Sequence, residues 1–197
     1  NFNSYGLTYE RRNQDDLYYP RRGWHLLLEA AVGNKRLSGG EAWTDSLAVR
    51  TTQTTAEGAA TRYFTLRPRL VLVARGRGGG VFGPNLFVND LYQLGGLQTL
   101  RGFDENYFFA ARYAVATAEL RWFLDATSYL RLFVDQGYVS ARTVRSDAAD
   151  RPLGAGVGLS FRTAAGVFQF DYALGRAQDQ RFAANQSKIH FGLTSRF

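Results

Sequence analysis

Hydrophobic and polar residues alternate along most of this chain. From Leu153 to Phe161 every second residue is apolar, and the residues between are glycine or serine. Because successive side chains of a β-strand point to opposite faces of a sheet, this period predicts strands with two different faces. Comparable alternation marks the segments 5–11, 24–32, 130–135, 168–174 and 188–197, and less regular stretches at 51–65, 69–80 and 111–124 complete nine predicted strands.

The predicted connections alternate between short and long. Tight turns fall at 66–68, 125–126 and 162–165, long links at 34–50, 82–110, 140–151 and 175–186, and a link of intermediate length at 13–23. A barrel with short turns at one rim and long loops at the other has this order of connections. We therefore expect the long loops to share an extracellular rim and the tight turns a periplasmic one. Several strands reach about ten residues, which is enough to cross a bilayer at a strong tilt.

The polar positions of these strands carry many charges, namely Glu10, Glu29, Glu119, Arg121, Arg131, Asp135, Asp171 and Arg196. A lipocalin-like barrel or a two-sheet sandwich would also alternate, but its inward face is apolar, and so many charges do not pack as a solid core. The apolar positions are rich in aromatic residues and continue from strand to strand. The pattern therefore favours an all-β fold, a transmembrane antiparallel β-barrel with a polar lumen.

The composition argues against a helical membrane protein and against a nucleic-acid-binding protein. The chain has 197 residues, 45% of them hydrophobic, with 21 glycines and no cysteine or methionine. Its apolar runs are far shorter than the roughly 20 residues of a membrane helix. The net charge is +7, but the arginines that provide it are scattered without a nucleic-acid-binding motif, so we do not expect nucleic acid as a partner. Because a translated chain normally begins with methionine, we expect a processed product or a piece of a longer chain.

The longest predicted connection, 82–110, contains the run Leu-Gly-Gly-Leu-Gln-Thr-Leu-Arg-Gly-Phe at 94–103. Glycines supply turns, and a loop arginine commonly lies in water, so the run could be an ordinary solvated loop. The loop is nevertheless rich in apolar residues, and long ordered loops in compact barrels tend to be functional. We therefore expect this loop to fold into the lumen.

The run at 94–103 resembles the inward-folding sixth loop of the Omp85 superfamily, whose hallmark is Arg-Gly-Phe/Tyr after a paired glycine. The segment 132–137 resembles the family's aromatic-x-Asp-x-Gly strand motif, and 118–120 resembles the glutamate-bearing strand before it. Residues 154–172 resemble the penultimate hairpin, and Tyr9-Glu-Arg-Arg with the segment 19–23 resembles a junction between two mid-barrel strands. The motifs occur in the family's order, and the resemblance covers the whole chain.

The resemblance, to the bacterial surface antigen domain of this superfamily, implies a barrel of roughly sixteen strands. Residues 1–197 would form its C-terminal portion. The first half-barrel and the POTRA repeats would then precede these residues in a longer chain, or another chain would complete the barrel, because open strand edges do not persist in lipid. Residues 188–197 resemble the terminal signal strand of bacterial outer-membrane proteins, with apolar positions at Ile189, Phe191, Leu193 and Phe197 and a periplasmic C-terminus.

The resemblance also implies a function in the bacterial outer membrane, where such barrels insert nascent barrel proteins or pass polypeptides across. Its functional motif falls on Arg101, Gly102, Phe103, Glu119, Asp135 and Gly137. A guanidinium between two carboxylates can form bidentate bonds that lock an inward loop. The expected partners are outer-membrane lipid with its lipopolysaccharide leaflet, nascent outer-membrane or secreted polypeptides, the missing half-barrel or a partner chain, and periplasmic or lipoprotein subunits.

Two other functions stay open, a two-partner secretion transporter of the same superfamily and a passive channel with a plugging loop. An enzyme is not expected. Paired carboxylates can act as acid and base, but no substrate-binding motif, phosphate loop or metal-ligand cluster accompanies this pair. The two histidines, His25 and His190, fall on separate predicted strands. We therefore expect neither a cofactor nor a bound metal.

Overall fold

The computed structural model describes residues 2–36, 50–84, 86–142 and 147–194. Its strands in chain order are β1 (Phe2–Gln14), β2 (Gly23–Arg36), β3 (Arg50–Arg67), β4 (Leu70–Phe82), β5 (Tyr92–Leu94), β6 (Phe108–Ala110), β7 (Arg112–Phe123), β8 (Tyr129–Arg142), β9 (Asp147–Asp150), β10 (Leu153–Thr163), β11 (Gly166–Arg176) and β12 (Lys188–Thr194). Nine of them form one antiparallel meander in the order β1-β2-β3-β4-β7-β8-β10-β11-β12. The predicted all-β, antiparallel, nine-stranded architecture is confirmed.

The ends of this meander are not joined to each other. Within the described ranges, β1 pairs only with β2, and β12 pairs only with β11. The short strands lie off the main path, because β5 and β6 form a separate two-stranded hairpin and β9 pairs with β8. In the part of the chain that the structure describes, no helix is long and apolar enough to cross a membrane.

Several strand bounds differ from the predicted ones, with β8 longer and β7 slightly shorter than predicted. β8 continues to Arg142, past the start of the predicted link at 140, and β9 lies inside that predicted link, 140–151. Backbone hydrogen bonds extend a strand wherever a partner lies alongside, even where the alternation of side chains has ended. Residues 37–49, 143–146, Arg196 and Phe197 lie outside the described residues, and so do the predictions that fall on them.

The two faces of the sheet differ in what covers them. We call the face that contacts the 82–110 loop the inner face and the opposite one the outer face. Buried charged side chains occupy the inner face, among them Arg121, Arg131 and Asp171. Large apolar side chains stand exposed on the outer face, including Leu7, Phe64, Trp122, Leu132, Val157, Phe170 and Ile189. The inner face thus carries the buried charges beside apolar clusters, whereas the outer face exposes large apolar side chains, which a water-soluble barrel would turn inward.

Tight turns gather at one rim of the sheet, which we call the turn rim. The 15–22 link folds against this rim, where Arg21 donates hydrogen bonds to the carbonyl oxygens of Pro68 at 3.1 Å and Asp125 at 3.2 Å. Tyr19 is 5% exposed and belongs to a cluster with Val71, Val73, Phe123, Tyr129 and Val167. An apolar layer therefore lies beneath the charged part of the inner face.

Candidate functional site

The 82–110 loop folds onto the inner face as an ordered unit. The β5–β6 hairpin forms its base, and the segment between the two strands carries the Arg-Gly-Phe tripeptide. A turn in this segment is closed by Thr99, whose hydroxyl contacts both the N–H and the carbonyl of Gly95 at 2.7 Å. Leu94, Leu100, Phe103 and Phe108 pack in one cluster with inner-face residues of β7 and β8. The loop is therefore held by apolar packing as well as by charge.

Arg101 is the most heavily bonded side chain of the loop. Its Nε and Nη2 atoms donate to the two carboxylate oxygens of Asp135, both at 2.7 Å, which makes a bidentate pair. Its Nη1 atom donates to Glu119 at 3.0 Å. The guanidinium carbon also lies 3.5 Å from the ring centroid of Phe133. Since Glu119 belongs to β7 and Asp135 to β8, one side chain joins two strands to the loop.

We refer to Arg101, Glu119 and Asp135 together as the loop anchor. Its members are 5%, 2% and 1% exposed, so these charges are paired away from bulk water. Burial lowers the pKa of the Arg101 guanidinium, but the bonds and charges of Asp135 and Glu119 outweigh burial and raise this pKa above its ordinary value. Paired, desolvated charges of this kind interact far more strongly than an exposed ion pair.

Other inner-face residues support the carboxylates of the anchor. The Thr117 hydroxyl donates to Asp135 at 2.8 Å, and Arg121 donates to the second oxygen of Glu119 at 2.6 Å. Arg131 and Asp171 form a neighbouring pair at 2.6 Å. Three arginines and three carboxylates are thus buried close together on the inner face. The alternation of side chains predicts Arg121, Arg131 and Asp171 on the polar face but does not connect them with the anchor.

Gly102 and Phe103 complete the tripeptide in different ways. Gly102 has a φ of +91°, a conformation that a side chain would strain. Phe103 has no exposed surface and lies edge-on to Phe108, with ring centroids 4.9 Å apart. Gly137 of β8 allows Leu100 of the loop to come close, because a Cβ there would lie 3.2 Å from the leucine methyl carbons.

Inner-face glycines on β10 leave room for the loop at Gly154 and for side chains of neighbouring strands at Gly156 and Gly158, a role that the alternation alone does not reveal. A Cβ on Gly154 would collide with the carbonyl oxygen of Arg101, and a Cβ on Gly156 would lie 2.7 Å from the Phe133 ring. A Cβ on Gly158 would collide with Asp171. The signal was visible as glycines alternating with apolar residues, but only the folded chain shows that the empty positions are filled by other residues.

The predicted residues of the last strand lie apart from the anchor. Ile189, Phe191 and Leu193 are on the outer face of β12 and are 65%, 64% and 50% exposed. They share no contact with Arg101, which lies against the opposite face. Among the described residues, no group of three or more histidines or acidic residues is placed to hold a metal ion.

The meander, its apolar outer face and the anchored inner loop are the features of an outer-membrane barrel with a folded-in loop. A comparison with protein families agrees, because the model of the Omp85 superfamily domain matches residues 2–197. The chain therefore belongs to the Omp85 superfamily, an outer-membrane family whose members generally insert or translocate polypeptides. A search of curated proteins found no match to this chain.

Proposed function

We propose that this chain belongs to a barrel that inserts nascent barrel proteins into the outer membrane or passes polypeptides across it, and that the loop anchor locks its inward loop. The main support is the bidentate bond between Arg101 and Asp135 of β8, together with the bond from Arg101 to Glu119 of the neighbouring strand β7. Because one side chain joins the loop to two strands, loss of these bonds would weaken the attachment of the loop to both strands together.

A passive channel is the weaker alternative. The loop contacts the inner face far beyond the anchor, since Arg77 of β4 donates to the Gln98 carbonyl at 3.0 Å, and Gly175 of β11 lies against Gly102. A conducting pore needs a water-filled lumen, whereas this loop covers the inner face from β4 to β12. This coverage supports a lumen that is closed at rest.

The last strand supports the assembly role. Its partner-free edge is an unpaired row of backbone groups within the described residues, and its outer face is apolar. An incoming strand could pair with such an edge by β-augmentation. In this proposal the turn rim and the C-terminus face the periplasm, and the partners are membrane lipid, nascent outer-membrane or secreted chains, periplasmic or lipoprotein subunits, and whatever segment completes the barrel.

The test uses the intact protein in liposomes. An unfolded barrel client is added, and its folding is followed by the heat-sensitive shift of the folded form on gels. We expect client folding to be accelerated by the native protein and much less by Arg101→Ala, with the exposed Arg162→Ala as a matched control that retains activity. A protein that conducts ions but does not accelerate any client would overturn the proposal in favour of a channel. Export of one cognate passenger without client folding would instead establish two-partner secretion.

A further inference from the structure

The last hairpin, β11 and β12 with the connection between them, forms hydrogen bonds to Gly102 of the tripeptide, next to the loop anchor. The Gly102 N–H donates to Nε2 of His190 at 3.2 Å, and the Gly102 carbonyl accepts a bond from Nε2 of Gln180 at 3.0 Å. Gln180 also donates to the Gly175 carbonyl at 3.2 Å. His190 and Gln180 are 7% and 6% exposed, so both bonds are shielded from water. The peptide groups of Gly102 are therefore held from both sides by residues that lie after β11.

Two further contacts join the loop to the same strand. Lys188 at the start of β12 pairs with Asp104 of the loop at 2.7 Å. At Gly192 a Cβ would lie 2.5 Å from a Leu97 methyl carbon, so the leucine occupies the space that a side chain would take. Lys188, His190 and Gly192 are successive inner-face positions, and each of them meets the loop.

β12 has little other support. It pairs with β11 over seven residues, and its other edge has no partner in the described ranges. By comparison, β10 pairs with β11 over eleven residues and also with β8. Contacts on its inner face are therefore a large share of what fixes β12 in place.

We propose that the 82–110 loop braces the last strand, with His190 and Gln180 as positioning residues that couple the docked loop to β12. Because coupling is reciprocal, displacement of the loop loosens β12, and displacement of β12 weakens the docking of the loop. The inference deepens the proposed function, since it names how the locked loop would control the edge offered to a client. The coupling between the loop and β12 can be tested without any client protein.

Hydrogen exchange of the intact protein in lipid tests the brace. His190→Leu removes the acceptor at similar size, whereas His190→Gln keeps a carbonyl oxygen near the position of Nε2. We expect the amides of β12 to exchange about three- to ten-fold faster in His190→Leu, the effect of losing one buried hydrogen bond, and to recover in His190→Gln. Protection of β2 amides should be unchanged, which shows that the barrel has folded.

Gln180→Glu extends the test to the second bond. It replaces the donating amide with a carboxylate that cannot donate, and faster exchange in β12 is expected. Gln178→Glu is the matched control. Gln178 lies in the same connection as Gln180, but it donates to the Ala149 carbonyl of β9 and does not contact the tripeptide. Equal exchange in the Gln180 variant and its control, or equal exchange in both His190 variants, would overturn the brace.

A disulfide gives a second measurement that does not depend on these substitutions. The chain has no cysteine of its own, so Leu97→Cys with Gly192→Cys introduces a single possible bond. We expect it to form in the folded protein and to restore slow exchange to His190→Leu, while Val88→Cys with Gly192→Cys stays reduced. Failure of the first pair to form, or fast exchange despite the bond, contradicts the inference. Normal coupling in a protein that folds no client would contradict the proposed function alone.

Discussion

Arg101→Ala removes the centre of the loop anchor. The variant loses two bonds of 2.7 Å to Asp135, one of 3.0 Å to Glu119, and the contact with the Phe133 ring. Asp135 would keep the Thr117 hydroxyl, and Glu119 would keep Arg121. Two buried carboxylates would then face each other with fewer positive charges nearby.

Removal of one partner from a buried ion pair costs about 3–5 kcal/mol, because the remaining charge is left uncompensated. We expect a loss in the lower part of this range, since Glu119 keeps Arg121, and Asp135 keeps the Thr117 hydroxyl and the backbone N–H of residue 101. Arg101→Lys should recover little, because a single ammonium cannot make the bidentate bond. Asp135→Ala should resemble Arg101→Ala, and the double variant should be less destabilised than the sum by about 1–3 kcal/mol.

The assay is a double-mutant cycle on unfolding of the intact protein in lipid, followed by urea titration and by the temperature at which the folded gel form disappears. Client folding is measured on the same four proteins. Strict additivity of the Arg101 and Asp135 effects would show that the two residues do not act as a unit. If Arg101→Ala kept native stability and activity, Arg101 would have no role in anchoring the loop.

Three further outcomes are expected. Gly154→Ala should lower the free energy of unfolding by about 1–3 kcal/mol in the same assay, because its methyl group meets the backbone of the loop. Gly76→Ala is the control, since it has open space around it, and should change stability by less than about 0.5 kcal/mol. Equal effects of the two substitutions would contradict the docking role of β10. Cysteines introduced at Ala126 and Asn185 should be labelled from opposite sides of intact cells, and labelling from one side would refute the topology. Replacing the three anchor residues together with Arg121, which would otherwise lose its Glu119 partner, with apolar residues of similar volume should preserve heat stability but abolish client folding, and retained activity would show that the charges are dispensable.

Six of the nine long strands were predicted because each spans enough residues for the alternation of faces to be visible, and the less regular stretches 51–65, 69–80 and 111–124 completed the set. The sequence pattern missed β5, β6 and β9, which have three or four residues, too few for a period of two to be recognised. It also ended β8 too early, since polar residues near its end break the alternation while backbone pairing continues. Alternation records the environment of side chains, whereas strand length depends on the neighbouring backbone.

The site was predictable in part for a similar reason. Arg101, Glu119 and Asp135 were named through a family resemblance, in which the order of motifs carries the information. His190 and Gln180 belong to no such motif, and Gly102 lies 88 residues before His190 and 78 before Gln180. Contacts of this kind depend on how β12 lies against the loop, and no local pattern encodes that position.

Under the proposed function, in which the loop is released, the charges of the anchor have a physical reason. A buried ion pair is commonly no more stable than a well-packed apolar contact of the same volume, so stability alone does not explain it. The two-pronged geometry fixes where the loop sits, and when the loop leaves, the carboxylates and the guanidinium can be hydrated by lumen water. Release of an apolar anchor would expose apolar surface to water, which is unfavourable, so an apolar anchor would oppose release of the loop. A charged anchor therefore suits a loop that is held firmly in one position yet can be released.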